Sequence, residues 1–344
     1  MTLVGDVGTA LAGAAPFSDA ELAAVRADVP ILARTVRGGR PLVYLDSGAT
    51  SQKPLAVLDA ERDFYLRRNS AVHRGAHMLA AEATEEFEDA RATIAAFVGA
   101  TADEIVWTSG ATEGLNLLAY ALSNAAFSPE HAALRLAPGD EIVVTEQEHH
   151  ANLIPWQQLA LRTGATLRIV ELTLTQTIDL DMLRDVVGAR TKIVAITHVS
   201  NAVGSITPLQ DVVRIVRARS AAVIVVDGAQ AVPHLPVNFD ALDIDFYAFS
   251  GHKLLGPMGI GVLVGRRKLL EAMTPYQFGG DMIEWVRDTD STWNVLPHKF
   301  EAGTPNAADA VALAAAVRYL EGLGMEKVRL HEIALLEAAE ASVR

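Results

Sequence analysis

One lysine, Lys253, follows the apolar run DIDFYAFS and stands between Ser-Gly-His and a glycine-rich stretch, DIDFYAFSGHKLLGPMGIGVLV over residues 243–264. Lysine is rarely fully buried, so such a residue is ordinarily a solvated strand end-cap. Desolvated beside a buried ligand, the same amine becomes a nucleophile that forms an imine with a carbonyl. Asp227 closes a second apolar run, AVIVVD, where an unpaired carboxylate is costly to bury. It is either a turn former or a carboxylate that keeps a heteroaromatic nitrogen protonated, with Gln230 in reach of the same ligand. In SGATEG, residues 109–114, small residues lie between strand and helix. Backbone N–H groups around Ala111 and the Thr112 hydroxyl there suit an anion or phosphate, although Thr112 also fits as a simple helix N-cap. Neither G-x-x-x-x-G-K-S/T nor G-x-G-x-x-G occurs, so nucleotide motifs are not supported. His149 and His150 are adjacent at a strand end, where alternation sends only one of them to a given side; one would stack its imidazole on a ring. No third and fourth ligand stands at zinc spacing, so no metal is expected. Asn201 is a strand-end amide or a turn residue, Ser250 offers a hydroxyl, and His252 is a polar flank to Lys253.

These residues need a scaffold that gathers them. Apolar, β-branched runs recur at 104–109, 141–146, 166–172, 192–197, 222–227, 245–250 and 260–264. They read as seven buried strands, not as alternating amphipathic ones. Helical patterns separate most of them, such as EGLNLLAYALSNAAF, NLIPWQQLALRTG and PLQDVVRIVRARS, the last with Pro in a first-turn position. Alternation of strand and helix predicts an open, mostly parallel α/β sheet, whose ligands bind at the carboxyl ends of the strands. The candidate residues fall at those ends. A phosphate cradle, a ring-stacking histidine, a carboxylate for a ring nitrogen and an imine-forming lysine together describe a pyridoxal 5′-phosphate (PLP) site.

The chain has 344 residues, 50% hydrophobic, with a net charge of −13. That suits one large domain and part of a second. With no basic cluster, nucleic acid and anionic membrane are not expected partners. The N-terminal MTLVGDVGTALAGAAPF lacks a basic leader and is interrupted by Asp6, so no secretory signal is expected. No apolar run approaches the roughly 20 residues needed to span a bilayer, and a cytoplasmic location is the expectation. There are no cysteines, so no disulfide, thiolate metal site or cysteine nucleophile is available.

The stretches YLDSGATSQKP, VHRGAH, SGATEGLNL, EHHANLIPW, ITHVSNAVG, VDGAQAVPH, DFYAFSGHKLLGPMGIGVL and FEAGTPN resemble those of SufS-type (group II) cysteine desulfurases, which have the class V aminotransferase fold. The resemblance runs from about residue 25 to 330. It implies an α/β chain of PLP-dependent transferase fold type I, with a seven-stranded, mostly parallel sheet and a second, smaller domain, here incomplete. Residues 1–40 would be an N-terminal segment associated with the small domain, 41–300 the large PLP-binding domain, and 301–344 the start of the small domain. Lys253 would carry the cofactor as an imine and shuttle the proton at Cα and C4′. His149 would stack on the ring, Asp227 would bind the pyridine nitrogen, and Gln230 and Asn201 would lie near the phenolic oxygen and the substrate. Ala111, Thr112, Ser250 and His252 would hold the phosphate, joined by Thr304 from the second subunit of a homodimer. His73 and Arg74 would lie near the active-site mouth, close to the substrate. The implied reaction converts L-cysteine to L-alanine and leaves an enzyme persulfide, which supplies a sulfur-acceptor protein for iron–sulfur cluster assembly. Selenocysteine is an alternative substrate.

Two departures stand out. In TLTQTIDL the family often has an Asp-Gly turn. The family's nucleophilic cysteine and the arginines that grip the substrate carboxylate lie in a C-terminal region, whereas this sequence stops at Arg344 within an amphipathic helix. The expectation is therefore a desulfurase lacking that region. The alternatives are a cysteine-independent class V enzyme, an epimerase or another lyase, and a PLP-binding remnant without turnover.

Overall fold

Valine- and isoleucine-rich runs favour extended backbone because branched side chains pack well on a pleated surface. In the computed structural model, which describes residues 15–124 and 134–343, such runs form the main sheet. A short antiparallel ribbon, β1 (Thr35–Val36) and β2 (Arg40–Pro41), precedes it. The sheet comprises β3 (Ile105–Thr108), β4 (Glu141–Thr145), β5 (Thr166–Val170), β6 (Thr191–Thr197), β7 (Val223–Asp227), β8 (Phe246–Ser250) and β9 (Gly261–Gly265), in the order β3-β9-β8-β7-β6-β4-β5. Strands β4 to β8 pair in parallel, and β9 runs antiparallel between β8 and β3. A second ribbon, β10 (Ile283–Val286) and β11 (Ser291–Trp293), follows. Both ribbons are too short to carry a period-two signal and were not expected. The seven-stranded α/β architecture was.

The strands bury both faces by alternation. Ile105, Trp107, Val194, Ile196, Ile224, Val226 and Phe249 point into one hydrophobic cluster; Val106, Ile193, Ala195, Val225, Ala248 and Leu263 point into the other. Helices α2 (Leu55–Arg67), α3 (Met78–Val98), α6 (Leu180–Val186), α7 (Leu209–Arg219) and α9 (Ala307–Leu323) supply the first cluster. Helices α4 (Ala111–Asn124), α5 (Ile154–Thr163) and α8 (Arg267–Ala272) supply the second. The remaining helices are α1 (Asp19–Ala27) and α10 (Met325–Val343). Among the described residues no helix is long and apolar enough to cross a membrane.

Several expectations need correction. Strand β5 is not fully buried: only Val170 is, because β5 is an edge strand and Ile169 is 48% exposed. Pro208 is the N-cap of α7, not a residue of its first turn. Beyond the expected boundary after residue 300, α9 packs on the first cluster. Helix α9 reads AADAVALAAAVRYLEGL, apolar nearly all round, and such a helix must be covered on most sides. Its Ala310, Leu313, Ala314 and Val317 pack with Phe87, Ile94 and Leu254 in the first cluster. Packing thins after Gly324, since α10 buries only Met325. There the N-terminal segment joins it: Lys327 pairs with Glu21, and Phe17 meets His331 edge-on at 5.7 Å. The N-terminal stretch to residue 14 and the end of the EGLNLLAYALSNAAF pattern after Asn124 lie outside the described residues. In TLTQTIDL, Gln176 takes a left-handed φ of 61°, the conformation that an Asp-Gly turn gives to glycine.

One buried ion pair ties α3 to the strand edge and to the FEAGTPN loop. Arg91, 1% exposed, donates to both carboxylate oxygens of Glu301 at 2.7 and 2.9 Å, to Glu88 at 2.8 and 3.2 Å, and to the Ile105 carbonyl at 2.9 Å. Glu301 in turn accepts the Trp107 N–H at 2.8 Å. Breaking a buried pair strands the remaining charge, which costs roughly 3–5 kcal/mol. Arg91→Met is therefore expected to lower unfolding stability by about that amount in urea titration. A loss under about 1 kcal/mol would show that the pair is not a structural tie.

Candidate active site

At the carboxyl end of the sheet, polar side chains belong to the strand rows facing α4. The end residues Thr108, Thr197, Asp227 and Ser250 continue the rows of Val106, Ala195, Val225 and Ala248. Thr197, Asp227 and Ser250 line a cavity of about 580 Å³ with Ala111, Thr112, His149, Asn201, Gln230, His252, Lys253 and the loop Leu45–Ala49. A volume of this order suits a cofactor-sized ligand.

One end of the cavity is built for an anion. Helix α4 opens at Ala111, whose N–H donates to Ser250 Oγ at 2.9 Å. Thr112 lies one residue inside the helix and is exposed to the cavity, so the simple N-cap alternative does not hold. The helix dipole and free N–H groups there favour negative charge. This approach depends on glycine. In β9, Gly261 pairs with both Thr108 and Ser250, and a Cβ on it would stand 2.4 Å from Gly110 Cα and 2.7 Å from the Phe249 carbonyl oxygen.

The other end holds Asp227, 4% exposed. Its carboxylate accepts one hydrogen bond, from Ala229 N–H at 2.9 Å. Burial raises its pKa, and the Ala229 N–H, Lys253 and His149 oppose that rise. Lys253 sits in the single 3-10 turn Gly251–Lys253 after β8. Burial lowers the pKa of its amine and the charge of Asp227 raises it, with burial prevailing. A buried carboxylate with spare acceptor capacity, a partly desolvated amine and an anion cradle share one cavity. They fit a ligand carrying a cationic ring nitrogen, a carbonyl and a phosphate.

His149 and His150 do not end a strand. Strand β4 stops at Thr145, and His149 caps the 3-10 turn His150–Asn152, its Nδ1 accepting Ala151 N–H at 3.1 Å. Alternation therefore does not separate the pair; His149 lines the cavity, while both histidines line a neighbouring groove. A buried polar chain holds this segment. Glu148 accepts from Thr145 Oγ1, Asn152 Nδ2 and Thr197 N–H, and Trp156 Nε1 donates to Asn152 Oδ1 at 2.9 Å. Burial pushes the Glu148 carboxyl up to about 8.

The sequence pattern singles out nine of these lining residues but not the loop Leu45–Ala49, which lies within YLDSGATSQKP. Gln230 Nε2 donates to the Gly48 carbonyl at 2.7 Å; a loop presenting backbone atoms leaves little side-chain signal. His73 and Arg74 do not line the cavity. His73 meets Glu88 at 3.0 Å, Asp281 at 3.5 Å and the His298 ring at 4.8 Å, and Arg74 meets Asp281 at 3.4 Å. His73, Glu88 and His298 place metal-type ligand atoms within 4.8 Å of one another. Arg91 already engages both Glu88 oxygens, so a cation from within the chain answers that charge. Thr304 is exposed on its loop and does not line this chain's cavity.

Gly261→Ala is expected to cost about 3 kcal/mol, the upper range for overpacking, because backbone rather than a flexible side chain must yield. It should also widen the gap between Ala111 and Ser250 and abolish phosphate-dependent ligand binding. Urea titration and PLP titration of the same variant check both; unchanged ligand affinity would show that the close approach does not form the cradle.

Comparison with known proteins agrees with this geometry. The family model described as aminotransferase class-V matches residues 43–344. A protein named probable cysteine desulfurase 2, from Mycobacterium leprae, is 52% identical over 320 residues, covering 93% of this chain and 75% of that relative. The solved cysteine desulfurase of Thermococcus onnurineus NA1 superposes with a TM-score of 0.85 at 36% identity, over 93% of this chain and 75% of that one. A structure of C-DES with glycine covalently linked to its PLP cofactor superposes with a TM-score of 0.75 at 25% identity, over 89% of this chain and 76% of that one. The chain belongs to the class V aminotransferase family, among relatives named cysteine desulfurases.

Proposed function

We propose that this chain is the PLP-binding catalytic unit of a cysteine desulfurase, converting L-cysteine to L-alanine with transfer of sulfur. The observation that carries it is the meeting of Asp227, Lys253 and the α4 N-terminus in one cavity, in a chain 52% identical to a named cysteine desulfurase. When bound, PLP supplies an electron sink for negative charge at the substrate Cα.

The residues then divide the work. Lys253 would bind the cofactor carbonyl and would take and return the substrate Cα proton. Its lowered pKa leaves more of the amine unprotonated near neutrality. Asp227 keeps the ring nitrogen positive; its burial makes the uncompensated carboxylate a strong acceptor. His149 would face the ring, and Gln230 and Asn201 would hold the phenolic oxygen and substrate. Ala111, Thr112, Ser250 and His252 hold the phosphate, with Thr304 completing the site of a second copy in a homodimer. His73 and Arg74 border the approach to that assembled site. Residues 41–324 form the cofactor-binding unit, and α10 with the N-terminal segment begins the smaller one. The work takes place in the cytoplasm, and the sulfur leaves to an acceptor protein that serves iron–sulfur cluster assembly.

The 344 residues contain no cysteine, so none of their side chains can carry the persulfide. A second reading, a thiol-independent lyase or epimerase of the same family, needs no such side chain. The two readings predict different products. Under the first, the PLP-loaded chain exchanges the Cα proton of L-cysteine in D₂O without sustained release of alanine or sulfide. Absence of Cα exchange would overturn the first reading, sustained alanine or sulfide from the homogeneous cysteine-free chain would overturn the need for a thiolate, and racemised cysteine would favour an epimerase. Lys253→Ala should abolish covalent capture of PLP, read by intact mass after borohydride reduction. Asp227→Asn should slow Cα exchange by on the order of a hundredfold or more.

The pH dependence follows from signs. Capture needs the neutral amine, so its rate should rise with pH and level off below 10.5, the ordinary lysine value, because burial depresses Lys253. Asp227 raises the Lys253 pKa, so in Asp227→Asn the plateau should begin at lower pH. A plateau moving upward would contradict the assigned coupling.

A further inference from the structure

The carbonyl oxygen of His252, in the peptide that leads into Lys253, is the meeting point of four donors. It accepts Ser51 N–H at 3.0 Å, Ser51 Oγ at 2.9 Å, Thr50 Oγ1 at 3.1 Å and Lys53 Nζ at 3.0 Å. A carbonyl has two lone pairs, so ordinary satisfaction does not require this convergence. The same short segment returns to the far side of the turn: Leu255 N–H donates to Ser51 Oγ at 2.9 Å. Leu255 has a left-handed φ of 58°, which a leucine adopts only where the surroundings hold it.

Lys53 is the unusual member. It is half-buried, and among the described residues its ammonium meets no carboxylate: its partners are the carbonyls of His252 and Ser51. A surface lysine with an ordinary solubilising role would not surrender its hydration for two carbonyls. Burial accordingly pulls its pKa down to about 8. The segment also continues directly into the cavity wall, since Gly48 and Ala49 line it.

We propose that Lys53 is a positioning residue for Lys253: with Thr50 and Ser51 it clamps the His252 carbonyl and so fixes the turn that delivers the Lys253 amine into the cavity. The inference rests on Lys253 being the cofactor-binding lysine. Lys53 acts through the peptide, not through its charge on the amine, because Lys253 responds to burial and Asp227. Three of the four donors survive removal of Lys53, so the turn should loosen without the protein unfolding.

The test compares wild type with Lys53→Met, which keeps the apolar stem, and Lys53→Arg, which keeps a cationic donor. Amide hydrogen exchange over residues 250–256 is measured on the PLP-free full chain, and covalent capture of PLP is followed by its visible absorbance. Loss of a hydrogen bond to a charged donor predicts about tenfold faster exchange in that segment and about tenfold slower capture for Lys53→Met, with Lys53→Arg restoring most of both. Exchange elsewhere in the sheet should not change. Wild-type exchange and capture in Lys53→Met would overturn the proposal. So would a uniform rise in exchange across the sheet, which marks a general loss of stability. If wild type itself captures no PLP, the cofactor assignment fails, and the exchange result alone still decides whether Lys53 holds the turn.

Discussion

The interior end of β7 carries Asp227, and an ionised carboxylate there gives up its hydration for a single backbone N–H within the chain. Burying such a group unpaired is strongly unfavourable, so its surroundings must supply positive charge or a donor. The strand order answers this. Strand β7 sits between β8, which ends at the Lys253 turn, and β6, beside which β4 leads toward His149. Lys253 and His149 both favour the charged carboxylate. A lysine and a histidine far from Asp227 in sequence reach it because parallel pairing stacks the carboxyl ends of these strands on one edge. The remaining acceptor capacity of Asp227 faces a cavity, and a cationic ring nitrogen is the group that would match it.

The anion end depends on a different constraint, the closeness of two backbones. Antiparallel β9 brings Gly261 between Thr108 and Ser250, and the missing Cβ lets the loop at Gly110 lie against it. That contact sets the distance across which Ala111 N–H finds Ser250 Oγ. The Arg91–Glu301 pair fixes the same edge from the opposite face, since Glu301 also accepts the N–H of Trp107 in β3. The glutamate of FEAGTPN thus serves the sheet, while Thr304 of the same motif is exposed.

Legibility from sequence followed the physics of each residue's job. The seven strands were readable because doubly covered strands are continuously apolar. The residues that gather at the cavity were readable because a lysine, an aspartate and a hydroxyl pair at the ends of such strands have few bland uses in common. The exceptions have physical causes as well. Strand β5 lies at the edge and carries Arg168 in mid-strand, a polar sign that its apolar Leu167, Ile169 and Val170 outweighed. The histidine pair was placed by strand alternation, yet the chain leaves the strand at Thr145. The 45–53 segment works through carbonyls and one lysine nitrogen, so a list of catalytic residue types passes it by.

The chemistry that this chain can do is separable from the chemistry its relatives' names describe. Proton transfer at Cα needs a base, an electron sink and a fixed geometry; on the proposed reading PLP would be the sink, held by Asp227 and the α4 cradle, with Lys253 as the base in the same cavity. Sulfur transfer needs, in addition, a thiolate that can attack the substrate sulfur, and no residue among the 344 provides one. Serine and threonine hydroxyls do not substitute, because at neutral pH they are neither ionised nor soft enough to accept sulfur. Activation of the substrate and acceptance of its sulfur therefore draw on different atoms. The cavity fits the first, and only a cysteine brought to it, by this polypeptide or another, can complete the second.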